Sequence, residues 1–183
     1  MLLVIAATDG ELRGVTGLPG VERLTCGIGP VDAAIATTRR LARGSRPSAI
    51  LHVGIAGARS TADIPIGTLI IGASSTYADT QSHFVVHELP GRADLVARVQ
   101  AAFPDAVATV IGTAADVGGT AHTEVEAMEG FAVLRAADVA GVPAVEVRVV
   151  SNEIAEPDRA NWDFEGALNA LAAALPKLVL ALR

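Results

Sequence analysis

Three segments of the chain carry polar groups suited to catalysis, and each follows or lies in an apolar stretch. Asp9 and Glu11 follow the first apolar run, Glu129 lies in a later stretch, and Ser151-Asn152 follow another run. A carboxylate can take a proton from water as a general base, or hold two vicinal hydroxyls with its two oxygens. An amide can donate to one group and accept from another. These residue types therefore indicate acid–base chemistry on a substrate that carries hydroxyls.

Each of these groups also has a structural interpretation. Glu129 lies near the start of a predicted helix, where the helix dipole favours a carboxylate. Asn152 can cap a turn, and either Asp9 or Glu11 can be an exposed loop carboxylate. The residues taken one at a time leave both interpretations open.

Two short glycine-containing segments, 27–30 and 54–57, follow predicted strands or open a predicted helix. A backbone without side chains can approach a ligand closely, and its amides can bind an anion or a hydroxyl. Neither segment has the spacing of a dinucleotide-binding or P-loop motif, which excludes those two classes. In the second segment, the residues expected to contact substrate are Gly54, Ile55, Ala56 and Gly57.

The composition limits the class of protein. The chain has 183 residues, of which 51% are hydrophobic, 3% aromatic and 19% charged, and we expect one domain over residues 1–183. A net charge of −6 argues against nucleic acid as a partner. The one basic cluster is interpreted as the solvated end of a helix, and its members are Arg39, Arg40, Arg43 and Arg46.

Cysteine content and apolar runs limit the compartment. Cys26 is the only cysteine, which excludes an intramolecular disulfide and a thiolate metal cluster. The apolar N-terminal run lacks the basic region of a signal peptide, and no apolar run reaches the ~20 residues that span a bilayer. The sequence therefore predicts a cytoplasmic protein that does not associate with membranes.

Strand-like and helix-like segments alternate along the chain. Strands are predicted over 2–6, 49–53, 69–72, 106–112 and 144–150, and helices over 31–42, 93–103, 127–140 and 163–182. This alternation predicts an α/β fold with three layers, α/β/α, around a central mixed, largely parallel sheet. In such sheets ligands bind beyond the carboxyl ends of the strands, which is where the polar segments lie.

Four motifs occur in the order found in the purine nucleosidase/phosphorylase superfamily, which this chain resembles from Met1 to about Phe164. They are Gly27-Ile28-Gly29-Pro30, Gly54-Ile55-Ala56-Gly57, Met128-Glu129-Gly130 and Arg148-Val149-Val150-Ser151-Asn152. The resemblance implies a nucleoside phosphorylase-like fold, a small purine nucleoside as substrate, and a homodimer or higher homo-oligomer. It implies neither a metal nor an organic cofactor.

Within the superfamily the chain resembles the futalosine hydrolases, in Glu126 before Met128 and in the segment 158–162 after Asn152. The methylthioadenosine/adenosylhomocysteine nucleosidases typically have aspartate where this chain has Asn152. A 6-oxopurine presents an acceptor oxygen, which an ionised aspartate repels and an asparagine amide can bond. The resemblance thus implies hydrolysis of futalosine to hypoxanthine and dehypoxanthine futalosine, in menaquinone biosynthesis.

The same resemblance assigns roles to individual residues. Glu11 is the implied general base, with Asp9 as its competitor, and Asn152 donates to the leaving purine. Glu129 holds the ribose hydroxyls, while Met128 and Trp162 contact substrate, although Trp162 can also be a simple loop anchor. The aliphatic side chain of Ile55 favours water over phosphate as the nucleophile. Arg13 and Arg59 could bind a phosphate, so phosphate stays an alternative nucleophile. A structural ion pair between Glu126 and Arg148 is expected, and His52, His83, His87 and His122 are interpreted as structural or solvent-facing.

The chain also departs from the family pattern. Only about 15 residues separate Glu11 from Gly27, and the stretch 77–92 is compact. The segment 113–119, expected beside the purine, contains no aromatic residue. An adenosine-type nucleosidase, a purine nucleoside phosphorylase and a non-catalytic nucleoside-binding protein are therefore the alternatives.

Overall fold

Eight strands and four helices form within residues 1–119 and 122–183, the part of the chain described by the computed structural model. The strands are β1 (Leu2–Ala6), β2 (Val21–Thr25), β3 (Ala49–Ala58), β4 (Leu69–Tyr77), β5 (Glu88–Pro90), β6 (Val107–Thr113), β7 (Val125–Ala127) and β8 (Ala144–Glu153). The helices are α1 (Pro30–Leu41), α2 (Ala93–Ala102), α3 (Gly130–Val139) and α4 (Phe164–Leu182).

Helices cover both faces of the sheet, which explains why all five residues of β1 are buried. On one face, Val4 and Leu51 pack with Leu171 of α4 and Val99 of α2. On the other face, alternate residues of the same strands pack on α1 and α3, in a cluster that includes Leu3, Ile5, Ile50, Ala33 and Val133. The predicted three-layer α/β/α arrangement is confirmed.

The sheet is mixed and largely parallel, as predicted. Among the described strands, five of the eight pairs are parallel. β8 pairs with β3 on one side and β4 on the other, and β7 joins β6 back to β3. Strands β3, β8, β4, β6 and β7 therefore form a closed circuit, around a small apolar core that includes Ile70, Ile111 and Val150.

Two helices have features that their sequences explain. α1 begins at Pro30, a residue whose fixed φ suits the first helical position. α4 runs through Pro176 and is long and apolar enough to cross a membrane by length and composition alone. Its buried residues, Leu171, Leu175 and Leu178 among them, pack against the sheet instead, as the core helix of a globular protein does.

Several boundaries differ from those predicted. β2, β5 and β7 were not expected, because β5 and β7 have three residues each and β2 carries charged residues in its centre. The predicted start of a helix at Ala127 is wrong, since residues 125–127 pair with β3 and β6 and the helix begins at Gly130. The segments 54–57 and 151–152 lie within β3 and β8, not beyond their ends.

Candidate active site

A cavity of about 560 Å³ opens where β1, β3 and β8 reach their carboxyl ends, a size usual for small-molecule sites. Eight of the nine residues predicted to form the site line it: Glu11, Ile55, Ala56, Gly57, Met128, Glu129, Asn152 and Trp162. The ninth, Gly54, lies behind the wall. The charged groups of the lining are four carboxylates (Glu11, Asp116, Glu126, Glu129) and two guanidinium groups (Arg148, Arg159).

Glu11 is held by three donors at the cavity wall. It lies in a short 3₁₀ helix, Gly10–Val15, directly after β1, and only 6% of it is exposed. Its Oε2 accepts from the backbone N–H and the hydroxyl of Thr8, both at 2.9 Å, and its Oε1 accepts from the N–H of Ile55 at 3.2 Å. These bonds fix the carboxylate as an acceptor that faces the cavity.

The 3₁₀ helix that carries Glu11 packs on α4. Gly14 lies so close to Ala172 that a β-carbon there would be 2.8 Å from its Cα and would overlap its carbonyl oxygen. That carbonyl has lost its helical partner, because Pro176 four residues later has no N–H. α4 therefore supports the loop that carries Glu11 from behind, and Arg13 adds exposed contacts with Glu165 and Asn169.

Asp9, the competitor of Glu11 in the sequence, faces away from the cavity. It is exposed, and its carboxylate accepts a hydrogen bond from the hydroxyl of Thr25 at the end of β2. Of the two loop carboxylates, only Glu11 is among the described residues that line the cavity.

Arg148 is the centre of a buried polar network. It is 1% exposed, and its Nε donates to Glu146 Oε1 at 2.8 Å. Nη1 and Nη2 both donate to Glu129 Oε2 at 3.4 Å, and Nη2 also donates to His52 Nε2 at 2.6 Å. Nη1 makes a further contact with the carbonyl of Ile55 at 3.4 Å. The donors of this guanidinium are thus committed to the protein.

The expected ion pair of Arg148 with Glu126 is wrong. Arg148 pairs with Glu129 and Glu146, because alternation along β8 places Glu146 on the same face and α3 brings Glu129 above it. Glu126 lies on β7 and accepts a hydrogen bond from the N–H of Gly118 at 2.5 Å. This bond holds the neighbouring residues 115–117 in the cavity lining.

Burial and charge shift the pKa values of two groups that contact Arg148, His52 and Glu146. His52 is fully buried, and burial, together with the Arg148 charge, lowers its pKa well below 6.5. Its neutral ring can donate from Nδ1 to the Ile5 carbonyl at 3.1 Å and accept from Arg148 at Nε2. Burial also raises the pKa of Glu146, whose Oε2 has no hydrogen-bond partner among the described residues. The structural interpretation of His52 is therefore confirmed.

Glu129 is the residue directly before α3, and it is 4% exposed. Its Oε1 accepts from the N–H of Gly29 at 3.0 Å, and its Oε2 receives both terminal nitrogens of Arg148. These hydrogen bonds fix the orientation of the carboxylate. A carboxylate held in this way retains lone pairs for a pair of vicinal hydroxyls.

Asn152 enters the cavity through a bulge in β8. Ala56 pairs with Val150 but Gly57 pairs with Asn152, so Ser151 is an extra residue on β8. A bulge re-aims the side chains that follow it, and here it turns both Ser151 and Asn152 toward the cavity. The hydroxyl of Ser151 donates to Asn152 Oδ1 at 2.8 Å, and Asn152 Nδ2 donates to the Glu153 carbonyl at 3.0 Å. One hydrogen of Nδ2 is left for a ligand.

Gly54 is required by close packing. A β-carbon there would overlap the Arg148 guanidinium and lie 2.7 Å from Glu11 Oε1. The absence of a side chain lets Glu11 and Arg148 approach each other across β3. Gly54 therefore acts on the site through these two residues, whereas Ile55, Ala56 and Gly57 form part of the wall itself.

The outer end of the cavity contains Arg159, which the sequence did not single out. Arg159, Trp162, Phe164 and Leu168 line this end, which we call the rim subsite. Trp162 is half-buried, and its Nε1 donates to the Glu156 carbonyl at 3.1 Å, so it is both a loop anchor and a pocket wall. The spacing of Arg159 and Trp162 was the signal available.

Cys26 lies just below the site without taking part in it. It is 3% exposed, and burial, reinforced by the Glu129 charge, raises the pKa of its thiol to about 12. A thiol in this state is a packing residue and not a nucleophile.

Comparisons with known proteins identify the family of this chain. The sequence model of the phosphorylase superfamily matches residues 21–182. A futalosine hydrolase of Streptomyces coelicolor is 35% identical over 200 aligned positions, which cover 93% of this chain and 85% of the relative.

Solved structures share the fold. Native futalosine hydrolase of Helicobacter pylori superposes with a TM-score of 0.84 at 18% identity, covering 97% of this chain and 96% of the other. An S-adenosylhomocysteine nucleosidase from Streptococcus pyogenes, in complex with 5-methylthiotubericidin, gives a TM-score of 0.84 at 19% identity, with 97% and 95% covered. At these identities the two structures establish the fold and no more.

Proposed function

Because this chain belongs to the phosphorylase superfamily, we propose that it is an N-glycosyl hydrolase that releases hypoxanthine from futalosine. The likeness to the Streptomyces hydrolase over nearly the whole chain carries the proposal. Relatives of the same fold have been solved with purine-type ligands, which supports a purine nucleoside as the class of substrate. The amide of Asn152 in the cavity supports a 6-oxopurine as the leaving base.

In the proposed reaction, Glu11 takes a proton from a water molecule whose oxygen attacks C1′. The C1′–N9 bond breaks and its electron pair leaves with the purine, which takes up a proton from solvent. Glu11 then returns the proton that it accepted to solvent, so that one water molecule is consumed overall. Asn152 Nδ2 donates to the base as negative charge develops on it, which lowers the barrier electrostatically. General-base assistance from Glu11 is worth roughly 10²–10⁴-fold in rate.

Glu129 holds the two ribose hydroxyls, and Arg148 is a positioning residue. Arg148 reaches the substrate through Glu129, since its own donors are occupied by the protein. Met128 and Trp162 pack on the substrate, and Ile55, Ala56 and Gly57 present the wall of β3 to it. No step needs a metal or an organic cofactor.

Water suits this cavity better than phosphate does. Four carboxylates face two guanidinium groups in the described lining, and Arg148 is already neutralised by Glu129 and Glu146. Arg13 is exposed on the far side of its 3₁₀ helix, paired with Glu165. Arg59 donates to the Thr123 carbonyl at 2.8 Å, which commits part of its guanidinium. A phosphate dianion would meet net negative charge, which costs free energy.

The deciding experiment measures base release from futalosine, inosine and methylthioadenosine by purified protein in phosphate-free buffer. We expect hypoxanthine from futalosine, lost in Glu11→Gln and retained in Asp9→Asn, a carboxylate two residues away that faces outward. Adenine from methylthioadenosine would instead establish the adenosine-type nucleosidase. Release only after phosphate is added would establish a phosphorylase, and no release with intact nucleoside binding would establish a non-catalytic binding protein.

We also propose that the chain forms a homodimer or higher homo-oligomer through α1. Ile28, Val31 and Ile35 are 63%, 69% and 52% exposed around this helix, beside the cavity. A second copy would remove these apolar side chains from water. Sedimentation velocity should show dissociation of Ile35→Glu, whereas Leu180→Glu, at a site 74% exposed on the opposite face, should leave the assembly intact.

The setting of the reaction follows from its substrate. We propose that the protein acts in menaquinone biosynthesis in the cytoplasm, as one domain over residues 1–183. The relationship to futalosine hydrolases supports the pathway, and the packing of α4 against the core supports a location away from the membrane. One continuous sheet from β1 to β8 supports the single domain.

A further inference from the structure

Glu146 is a buried carboxyl group that has no part in the proposed reaction. It lies on β8, which pairs with both β3 and β4, and it is not among the described residues that line the cavity. A fully buried polar group is costly unless it is bonded. Its bond goes to the site, since Oε1 accepts from Arg148 Nε at 2.8 Å. Glu146 therefore acts on the cavity floor through a neighbour.

Two glycines enclose Glu146. A β-carbon on Gly72 of β4 would lie 3.2 Å from the Glu146 β-carbon, tighter than an ordinary contact. A β-carbon on Gly130, the first residue of α3, would overlap both carboxyl oxygens. The Glu146 side chain thus fills the space between β4 and the start of α3, where it has little room to shift.

Two short bonds set the direction of the Arg148 guanidinium. One joins Nε to Glu146 at 2.8 Å, and the other joins Nη2 to His52 Nε2 at 2.6 Å. Glu146 and His52 are direct partners across β8 and β3, so both acceptors lie on one rigid part of the sheet. The contacts from Nη1 and Nη2 to Glu129 are longer, at 3.4 Å each. Glu129 therefore meets a guanidinium whose direction is fixed elsewhere.

Glu146 also lies against the helix start that carries Glu129. Glu129 directly precedes α3, and Gly130, the next residue, packs on the Glu146 carboxyl group. The same carboxyl group thus locates Glu129 by two routes, one through Arg148 and one through the backbone at residue 130.

We infer that Glu146 is a positioning residue for ribose binding, which holds Glu129 in the orientation that receives the vicinal hydroxyls. This inference rests on the proposed function, in which Glu129 binds those hydroxyls. The place of the Glu146 acceptor carries the role, and its charge does not, because a neutral acceptor at the same place can bond Nε of Arg148.

Two variants of Glu146 separate place from charge. Glu146→Gln keeps the length of the side chain and an acceptor for Arg148, and it removes the negative charge. Its amide can also donate toward Ser75, whose hydroxyl has no partner among the described residues. Glu146→Asp keeps the charge but withdraws the carboxyl group by one C–C bond, about 1.5 Å. Glu88→Asp, the same change on an exposed residue of β5, is the control.

Formycin B and 2′-deoxyformycin B are the probes. They differ in one ribose hydroxyl, and the C–C bond between base and sugar resists hydrolysis, so calorimetric titration measures binding without turnover. The wild type, Glu146→Gln and Glu88→Asp should bind formycin B at least about tenfold more tightly than the deoxy probe, as one hydrogen bond to a charged group gives. Glu146→Asp should retain less than about threefold, because hydrogen bonds weaken steeply when their geometry is lost.

Absence of the preference in the wild type, its survival in Glu146→Asp, or its loss in Glu146→Gln would overturn the inference. Thermal melting checks that each variant is folded, and Glu146→Gln decides the question by itself where the shorter variant does not fold. Hypoxanthine release from futalosine is followed in parallel. The expected binding pattern without release defeats the proposed hydrolysis alone, and release with a different pattern defeats the role of Glu146 alone.

Discussion

Arg148 places both of its terminal nitrogens 3.4 Å from one oxygen of Glu129, which leaves the other oxygen to the N–H of Gly29. The pair is buried, with side-chain exposures of 1% and 5%. Buried charges of this kind contribute little net stability as a set, but the loss of one partner leaves the others uncompensated. The arrangement thus makes the integrity of the site depend on one guanidinium.

Arg148→Met should destabilise the protein by about 3–5 kcal/mol, because Glu129 and Glu146 would remain buried without a cation. Urea unfolding followed by circular dichroism measures the change. Arg135→Gln is the matched control, since it removes an exposed ion pair with Asp138 and should cost less than about 1 kcal/mol. Equal losses in the two variants would show that the buried network does not need its arginine.

Gly54→Ala should impair catalysis more than stability. The added β-carbon would force apart Arg148 and Glu11, and a displacement of about 1 Å at a reacting group costs roughly 10²-fold in rate. Steady-state base release and thermal melting are measured together. Gly10→Ala serves as the control, since its β-carbon would meet Thr8 Oγ1 at an ordinary 3.7 Å. Full activity in Gly54→Ala would contradict the close packing.

Asn152→Asp should reverse the preference for the leaving base. A carboxylate accepts from the exocyclic amine of adenine and repels the carbonyl oxygen of hypoxanthine. We expect the ratio of kcat/KM for adenosine over inosine to rise about 10²-fold. Asn161→Asp, an exposed change in the segment that follows β8, should leave the ratio unchanged. A ratio that does not move in Asn152→Asp would remove Asn152 from base recognition.

His52 should make the protein sensitive to mild acid. Its pKa is lowered in the folded state, so below about pH 6.5 the unfolded chain takes up a proton that the folded protein does not. Stability then falls with decreasing pH by up to about 1.4 kcal/mol per unit from this group. The raised pKa of Glu146 acts in the opposite direction, since its contribution is lost as the pH rises through that pKa.

Denaturant unfolding at pH 7, 6 and 5 separates the contribution of His52. His52→Gln keeps a donor for Ile5 and an acceptor for Arg148, and it should flatten the loss of stability between pH 6.5 and 5. His83→Gln, on an exposed segment, should follow the wild type. Parallel curves for all three proteins would mean that another group governs the acid response.

The long periodic elements followed from the sequence, because helix and strand patterns are local. α2 spans Ala93–Ala102 against the predicted 93–103, and β1 matches over Leu2–Ala6. β7 could not be predicted from the sequence, because a three-residue strand has no periodicity. The pairing of β8 with β4 could not be predicted either, because pairing is decided by residues that are distant along the chain. The closed circuit of strands depends on those two features.

The polar residues of the site divide in the same way. Their types, and their places after apolar runs, were enough to select Glu11, Glu129 and Asn152. The contacts of Arg148 could not be predicted from the sequence, because Glu129 is 19 residues away and His52 is 96 residues away along the chain. Arg159 was part of the segment 158–162 but was not selected, because the contact of its guanidinium with the Trp162 ring depends on how that loop folds.

The bulge at Ser151 has a consequence for how substrate choice can change. Because the extra residue, and not the side chain of Asn152, sets the direction of the strand end, the sheet tolerates a different side chain at 152. Asparagine and aspartate codons differ by one nucleotide. In the proposed role of Asn152, a single transition would therefore suffice to exchange one purine for another as the leaving group without a new scaffold.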